Sequence, residues 1–179
     1  PEKREQTVKL LKDTAKEIKD PVYRKLWDAL VLNKGPLART FFECPGGIGD
    51  VHHAYLGGLA EHCANLVWGA KYYMDCPGML AEGSLNRDLL LTGCLIHDIG
   101  KMEAYNWQTI IEMSDRGRLL HHVPLGYRIL HELFNKLCDK DSCQKRDMLA
   151  HIIVSHHEGE GRRHREPMFP EAVVIARLD

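Results

Sequence analysis

Five short segments hold the histidine and aspartate residues that are best suited to chemistry in this sequence. Their letters are HHAYLGGLAEH (52–62), HDIGK (97–101), GRLLHH (117–122), SHHEGEG (155–161) and EAVVIARLD (171–179). Histidine is abundant, with eleven residues in a chain of 179. Imidazole and carboxylate groups bind divalent metal ions, and none of the five segments contains a cysteine. The pattern therefore indicates a metal site with nitrogen and oxygen ligands, and argues against a structural zinc site of the thiolate type.

His97 and Asp98 follow an almost wholly apolar run, residues 89–96. A charged carboxylate beside a core-facing helix is costly unless it is paired or coordinated. Neighbouring helical side chains point about 100° apart, so the imidazole could bind one metal ion while the carboxylate bridges two. A His-Asp pair at a helix end can instead cap the helix and stay solvated, and the dipeptide alone does not decide between these interpretations. Lys101 lies one turn beyond His97 on the predicted helix.

Helical spacing places two further candidate ligands on apolar faces. His62 shares a face with Leu59 and Leu66. Asp179 ends a predicted helix and shares a face with Ala172 and Ala176. Both side chains are therefore predicted to point toward the core, where an unpartnered polar group is expensive.

Apolar residues recur at helical spacing through most of the chain, and no segment is long enough for a strand of a central sheet. Asp20-Pro21 and Asn86 are predicted helix starts, and Ser114 to Gly117 is predicted to be a turn within a small hairpin near 108–120. The fold class is therefore predicted to be all-α, a helical bundle with one small hairpin. The predicted helices cover 6–18, a segment from Asp20, 37–42, 57–74, Asn86 to Gly100, 123–138, 145–157 and a segment from Pro170.

Composition excludes several classes of protein. The 24 Lys and Arg residues against 25 Asp and Glu residues give a formal charge of −1, so no global field attracts nucleic acid or an anionic membrane. The longest apolar runs are shorter than the roughly 20 residues that span a bilayer, and no signal-peptide pattern opens the chain. The six cysteines form no CxxC pair, which favours reduced thiols and a cytoplasmic location.

Together these motifs resemble the HD-domain metal-dependent phosphohydrolases, and within them most closely the HD domain of the YhaM-type 3'-5' exoribonucleases. The resemblance implies a helical bundle that holds one or two divalent ions, with Mn, Fe, Ni, Mg, Co and Zn all left open. His121 stands where that family usually has glycine, so the sequence leaves open whether His121 or His122 faces the metal, and a similar departure at Glu158 leaves His156 and His157 open. The implied ligands are His62, His97, Asp98 and Asp179 for one ion, and His122 and His156, with Asp98 bridging, for a second.

The resemblance also implies roles in substrate binding and catalysis. Asp98 and Lys101 are the implied catalytic residues, with Lys101 offsetting charge on the phosphate; alternatively Lys101 is an exposed lysine favoured by the helix dipole. His52 and His53 are expected to line the pocket or bind phosphate, or else to hold their loop by hydrogen bonds. Arg162 and Arg163 are candidates for a phosphate clamp, although such runs are more often solvated loops.

Three functions remain open from the sequence. The first is a phosphodiesterase that removes nucleotides from the 3' end of RNA or single-stranded DNA, which would use a further nucleic-acid-binding domain that these 179 residues lack. The second is a phosphohydrolase of a nucleoside monophosphate or cyclic nucleotide, and the third is a non-catalytic module that senses a nucleotide. The chain is expected to be one domain, 1–179, and a fragment of a longer protein. Its oligomeric state is left open.

Overall fold

The computed structural model describes residues 2–49, 51–76, 84–157 and 165–179. In these ranges the helices are α1 (Glu2–Glu17), α2 (Pro21–Trp27), α3 (Pro36–Glu43), α4 (Gly58–Asp75), α5 (Arg87–Ile96), α6 (Lys101–Ala104), α7 (Asp115–Leu120), α8 (His122–Leu137), α9 (Cys143–Ser155) and α10 (Pro170–Leu178). A π-helical segment, Asp28–Leu32, continues α2, and a 3₁₀ turn, Lys140–Ser142, precedes α9. The all-α fold class is confirmed, since the strands of the described ranges belong to one two-stranded hairpin.

Capping side chains begin two helices where the sequence places them. The Asp20 carboxylate accepts hydrogen bonds from the backbone amides of Val22 (2.9 Å) and Tyr23 (3.4 Å), and Pro21 occupies the first helical turn. The Asn86 side chain accepts a hydrogen bond from the amide of Leu89 at 3.0 Å. Both caps satisfy amides that the first helical turn leaves without intrahelical partners.

Helix α5 lies at the centre of the core, because every residue from Leu89 to Ile96 is buried. α4, α9, α10 and α2 pack around it. A buried hydrogen bond joins α2 to α5 within this core, from the indole Nε1 of Trp27 to the hydroxyl of Thr92 at 3.0 Å. Because α5 is buried on all sides, the residues that directly follow it lie inside the protein, where little water is present.

The hairpin exists, but it begins earlier than the sequence indicates. β1 (Tyr105–Asn106) pairs antiparallel with β2 (Glu112–Met113), and the predicted turn from Ser114 to Gly117 is instead the start of α7. The Ser114 hydroxyl accepts a hydrogen bond from the Gly117 amide at 3.0 Å, so Ser114 caps a helix. The prediction was wrong at this point because serine, aspartate and glycine favour both turns and helix starts.

α5 also ends earlier than predicted, at Ile96 rather than at Gly100. The backbone then tightens, with the Ile99 amide bonded to the Ile96 carbonyl and the Lys101 amide bonded to the Asp98 carbonyl. Lys101 consequently begins α6 and does not continue the face of His97. Among the described residues, no helix has the length and apolar character needed to cross a membrane.

Two glycines allow the close helix packing that surrounds the end of α5. A Cβ atom on Gly93 would lie 2.5 Å from Ile175 Cδ1 on α10 and 2.8 Å from Ile152 Cδ1 on α9. A Cβ atom on Gly100 would lie 1.8 Å from the carbonyl oxygen of His122, at the start of α8. A side chain at Gly100 would collide with backbone, and one at Gly93 would require the two isoleucines to shift, so these glycines let α8, α9 and α10 approach α5 closely.

Candidate metal centre

The ends of five helical segments bring the predicted ligands to one place. His62 lies in the second turn of α4, and His97 and Asp98 follow the last residue of α5. His122 is the first residue of α8, while His156 directly follows α9. Asp179 follows α10. Positions so far apart in the chain meet because α9 and α10 pack against α5 across Gly93 and the start of α8 packs against Gly100.

The first group of donor atoms comes from His62, His97, Asp98 and Asp179, whose ligand atoms all lie within 4.8 Å of one another. His62 Nε2 is 3.0 Å from His97 Nε2 and 2.9 Å from Asp179 Oδ1. Asp98 Oδ2 lies 3.5 Å from the same His62 atom and 3.4 Å from His97 Nε2. These four residues are the set that the sequence predicts for one metal ion.

The second group comes from His122, His156 and His157, again with ligand atoms within 4.8 Å of one another. His122 Nε2 lies 3.0 Å from His157 Nε2. Asp98 Oδ1 faces this group, at 3.3 Å from His122 Nε2 and 3.5 Å from His156 Nε2. The two oxygens of Asp98 therefore face different groups, as a carboxylate that bridges two ions would.

The two carboxylate oxygens of Asp179 also face different donor groups. Its Oδ1 atom lies within the first group, and its Oδ2 atom lies 3.6 Å from His157 Nδ1. Although it is the last residue of this sequence, its side chain is only 15% exposed.

The geometry and chemistry of these residues fit a divalent cation. Two ligand atoms that are each about 2.1 Å from one ion lie about 3.0–3.4 Å apart for bond angles between 90° and tetrahedral, which is close to the spacings observed here. Within the described ranges, the buried atoms Asp98 Oδ1 and His156 Nε2 have no hydrogen-bond partner. Unpartnered buried polar atoms are rare, and a bound cation would satisfy both.

Backbone carbonyls orient two of the imidazole rings. His97 Nδ1 lies 3.0 Å from the carbonyl oxygen of Cys94, and His156 Nδ1 lies 2.8 Å from that of Ile153. Each Nδ1–H donates to its carbonyl, so Nε2 points into the centre and can bind an ion when it carries no proton. Metal-binding histidines are commonly oriented in this way.

The electrostatics of the centre favour a positive charge. Burial opposes ionisation of Asp98, yet Lys101 and His97 hold the pKa of its carboxyl well below the usual range. Burial would likewise lower the pKa of His97, but the carboxylates of Asp98 and Asp179 raise it to about 10. Burial lowers the pKa of His122 to about 3, so that ring stays neutral. A proton on His97 thus takes the place that a metal ion would occupy, and the ion must displace it.

Lys101 is engaged with the protein on two sides. Its Nζ atom lies 2.5 Å from Asp98 Oδ2 and donates a hydrogen bond to the carbonyl oxygen of Gly46 at 2.7 Å. Its side chain is 13% exposed, which does not match the alternative of a free lysine at a helix end. Lys101 therefore stabilises the charge of Asp98 and ties the loop around Gly46 to the centre.

The structure separates the histidines of the 121–122 pair. His122 is 7% exposed and faces the second donor group, whereas His121 is exposed. His121 has φ 64° and ψ 162°, a backbone region that favours glycine, and it joins α7 to α8. The turn at His121 directs His122 inward, so the prediction that selected His122 agrees with its position.

At the 156–157 pair both residues lie at the centre. His156 is 1% exposed and faces Asp98, while His157 lies between His122 and Asp179. The sequence left the role of His157 undecided. The signal that could have pointed to it is its position immediately after the end of a helix, where adjacent side chains can turn toward the same space.

His53 borders the first donor group, while no ligand atom of His52 is placed in either group. The His53 and His62 rings lie 5.4 Å apart, and His53 Nε2 is 3.2 Å from the Asn65 amide nitrogen and 3.6 Å from Glu61 Oε1. The contact with Asn65 is a hydrogen bond, which is the role that the sequence left open for His53 as the alternative to substrate binding. The other predicted substrate-binding residues, Arg162 and Arg163, lie outside the described residues.

Comparison with known proteins identifies the family to which the chain belongs. The family model described as HD domain matches residues 59–179, well over half of the chain, so the chain belongs to the HD-domain family. That match covers the four residues of the first donor group and the three histidines of the second. Family membership supports the prediction of a metal-dependent phosphoric ester hydrolase.

The individual proteins that match this chain have a more specific name than the family model. The chain is 29% identical over 142 residues to the 3'-5' exoribonuclease YhaM of Geobacillus sp. (strain WCH70), covering 79% of this chain and 41% of that protein. It is 28% identical over 164 residues to the YhaM exoribonuclease of Bacillus velezensis, covering 91% of this chain and 49% of the relative. The resemblance inferred from the motifs is confirmed. This chain spans less than half the length of these two relatives, and no solved structure gives a significant match.

Proposed function

We propose that this chain is the catalytic domain of a metal-dependent phosphodiesterase that removes nucleotides from the 3' end of single-stranded nucleic acid, with RNA as the first substrate to test. The observation that carries the proposal is the placement of Asp98 between two donor groups, one facing each carboxylate oxygen. Sites with two ions are suited to displacement at phosphorus, because the ions stabilise both the attacking and the leaving oxygen.

In this proposal, His62, His97, Asp98 and Asp179 hold one divalent ion, and His122 and His156 hold the second with Asp98 between them. His157 is added to the second set because its Nε2 atom lies 3.0 Å from that of His122. A divalent ion bound here supplies Lewis acidity and lowers the pKa of a bound water toward neutrality. Mn, Fe, Ni, Mg, Co and Zn all remain candidates, since the donor set is nitrogen and oxygen only.

Asp98 and Lys101 are the proposed catalytic residues. Lys101 keeps Asp98 ionised through the 2.5 Å contact between Nζ and Oδ2. An ammonium group has three N–H donors, and Asp98 and Gly46 account for two, so the third can reach a phosphoryl oxygen. We further assign phosphate contacts to His53, which borders the first group, and to His52, Arg162 and Arg163.

The direction of attack and the class of substrate come from the relatives. The proteins that match at 28–29% identity are named 3'-5' exoribonucleases, and the chain covers about half or less of each. The neutral charge of these 179 residues supports a division of labour in which another part of the full protein provides electrostatic affinity for RNA. A cytoplasmic location is consistent with the six free thiols of the described structure.

The experiment combines metal analysis with hydrolysis. The chain is loaded with each candidate metal in turn and given bis-p-nitrophenyl phosphate, a 5'-labelled oligoribonucleotide and nucleoside monophosphates. The double variant His97→Ala/Asp98→Ala removes one ligand and the shared carboxylate. His131→Gln is the matched control, because His131 lies against Tyr127 on the outer side of α8 and belongs to neither donor group.

We expect metal-dependent shortening of the oligoribonucleotide from its 3' end, and a loss of at least a thousandfold in the double variant but not in the control. Metal binding without turnover of any substrate would contradict the enzymatic proposal and favour a non-catalytic module that senses a nucleotide. Cleavage from the 5' end, or internal cleavage, would contradict the proposed direction.

One observation favours hydrolysis of a small nucleotide as a second candidate function. A pocket of about 400 Å³ lies beyond Glu61 and is lined by Lys3, Arg4, Phe42 and Tyr55 among others. Arg4 suits a phosphate and the two aromatic rings suit a base, while Lys3 is paired with Glu61 at 2.5 Å. Selective turnover of a nucleoside monophosphate, weakened by Tyr55→Ala, would support this function over the exonuclease.

A further inference from the structure

We propose that Trp68 and Tyr72 form an aromatic platform on which bases of single-stranded nucleic acid stack while the end of the strand lies in the metal centre. This inference rests on the proposed function and deepens it, because it names a binding site for the part of the strand upstream of the reacting phosphate. The platform is defined by these two side chains of α4.

The two rings are exposed, and their planes are nearly parallel. Trp68 is 63% exposed and Tyr72 is 66% exposed. Their ring centroids lie 5.9 Å apart with an angle of 15° between the ring planes. Large aromatic side chains usually bury most of their area, so a stacked pair of which about two-thirds is exposed is unusual for a helix surface.

The platform adjoins the metal centre along one helix. Trp68 and Tyr72 lie six and ten residues beyond His62, which is about 9 Å and 15 Å along the axis of α4. Asn65 shares the exposed face of the two rings and lies 3.2 Å from His53, which borders the first donor group. A strand that leaves the centre past His53 and Asn65 therefore meets Trp68 first and Tyr72 next.

The size of the apolar patch favours flat ligands over a protein partner. A buried Trp or Tyr covers at most about 250 Å², so two rings that are about two-thirds exposed present roughly 300 Å². A stable protein interface needs about 800 Å² on each partner. An exposed pair of stacked rings can extend its stack with one or two bases, and such stacking is tolerant of sequence.

Two cations beside the platform, Lys71 and Arg87, are paired with carboxylates. Lys71 Nζ lies 2.6 Å from Glu17 Oε1, and the Arg87 guanidinium contacts Glu17 at 3.2 Å and Asp75 at 3.5 Å. Binding at this face should therefore come from stacking rather than from neutralised phosphates. Such binding depends only weakly on salt, whereas phosphate-dominated binding falls steeply as salt rises.

The first experiment measures binding without hydrolysis. A fluorescent ten-nucleotide oligoribonucleotide is titrated in EDTA with the native chain and with Trp68→Ala/Tyr72→Ala, Trp68→Phe and Tyr127→Ala. Tyr127 is the matched control, since it is 44% exposed on α8. We expect the double variant to raise Kd at least tenfold, and the phenylalanine variant and the control to change it less than threefold. The native Kd should change little between 50 and 200 mM salt.

The second experiment compares substrates of different length. In the presence of metal, the double variant should lower kcat/KM for the ten-nucleotide substrate at least tenfold relative to kcat/KM for bis-p-nitrophenyl phosphate, which is too short to extend from the centre to Trp68 and Tyr72. An unchanged ratio, with an unchanged Kd in EDTA, would overturn the platform and leave the proposed function intact. Failure of all hydrolysis, with a Kd that still depends on Trp68, would instead contradict the proposed function alone.

Light scattering tests a protein partner directly. A native dimer that becomes a monomer in the double variant, with no change in Kd for the oligoribonucleotide, would overturn the proposal in favour of self-association. A native chain and variant of the same mass, with different Kd, support the platform.

Discussion

Replacing Lys101 with methionine should destabilise the metal-free protein, and a divalent ion should restore much of the lost stability. Lys101 is the main positive partner of Asp98, whose side chain is 1% exposed, at a distance of 2.5 Å. Methionine keeps the length and apolar stem of lysine, so the change removes charge and hydrogen bonds with little loss of packing.

The size of the effect can be worked from the contacts. Removing one partner of a buried ion pair typically costs about 3–5 kcal/mol, because the other charge is left uncompensated. His97 Nε2 remains 3.4 Å from Asp98 Oδ2 and can carry a proton, which places the expected loss near the lower end, about 3 kcal/mol. For a chain of this length, that corresponds to a fall in Tm of about 6–12 °C.

The assay is thermal unfolding of the native chain and the variant, each in EDTA and each with saturating Mn²⁺. A bound cation supplies the charge that Lys101 supplied, so the difference in Tm between the two proteins should shrink by at least half when metal is added. Lys145→Met is the control. It removes a lysine that pairs with the Asp20 carboxylate far from the centre, and its effect should be the same with and without metal.

Two results would refute this reasoning. Equal losses of Tm with and without metal would show that Asp98 is outside the field of the bound ion. A variant as stable as the native chain in EDTA would show that Lys101 is not what keeps Asp98 charged.

Three further predictions concern packing, backbone strain and pH. Gly93→Ala should cost about 1–3 kcal/mol and weaken metal binding, because the added methyl group pushes apart helices that position the ligands. His121→Gly should raise stability by about 1 kcal/mol, since glycine relieves the strain of a positive φ but loses more chain entropy on folding. The pKa of Asp20 is lowered overall: burial opposes this, but Lys145 and two backbone amides outweigh it. Because the folded pKa lies below the unfolded value of about 3.9, the stability that this charge adds is present above pH 4 and disappears as the pH falls through the folded pKa.

Each of these has a direct measurement. Denaturant unfolding and metal titration test Gly93→Ala, and tight metal binding in that variant would contradict the packing argument. Denaturant unfolding of His121→Gly in EDTA tests the strain, and a loss of stability would contradict it. Asp20→Asn keeps the helix cap and removes the charge. The free energy of unfolding of this variant should be lower than that of the native chain at neutral pH and equal to it in acid. A difference that does not depend on pH would contradict the lowered pKa of Asp20.

Local pattern in the sequence predicted most of the helices and the residue types at the centre. Asp20 and Asn86 begin helices as expected, because capping depends on a few adjacent residues. His62 and Asp179 could be placed on inward faces for a similar reason, since helical spacing alone decides which residues share a side. Family motifs then predicted which polar residues belong together.

Tertiary packing decided the remaining features. His122 faces the centre and His121 does not because the chain reverses at a strained residue between α7 and α8, and spacing carries no sign of that turn. His157 joins the second group because the start of α8 and the end of α9, which are distant in sequence, meet at the end of α5. Lys101 reaches Asp98 through the tight turn that ends α5, which helical spacing alone did not predict. The aromatic pair on α4 is also a tertiary feature, since its exposure depends on what the neighbouring helices leave uncovered. Contacts between distant segments depend on side-chain packing across the whole core, which local periodicity does not encode.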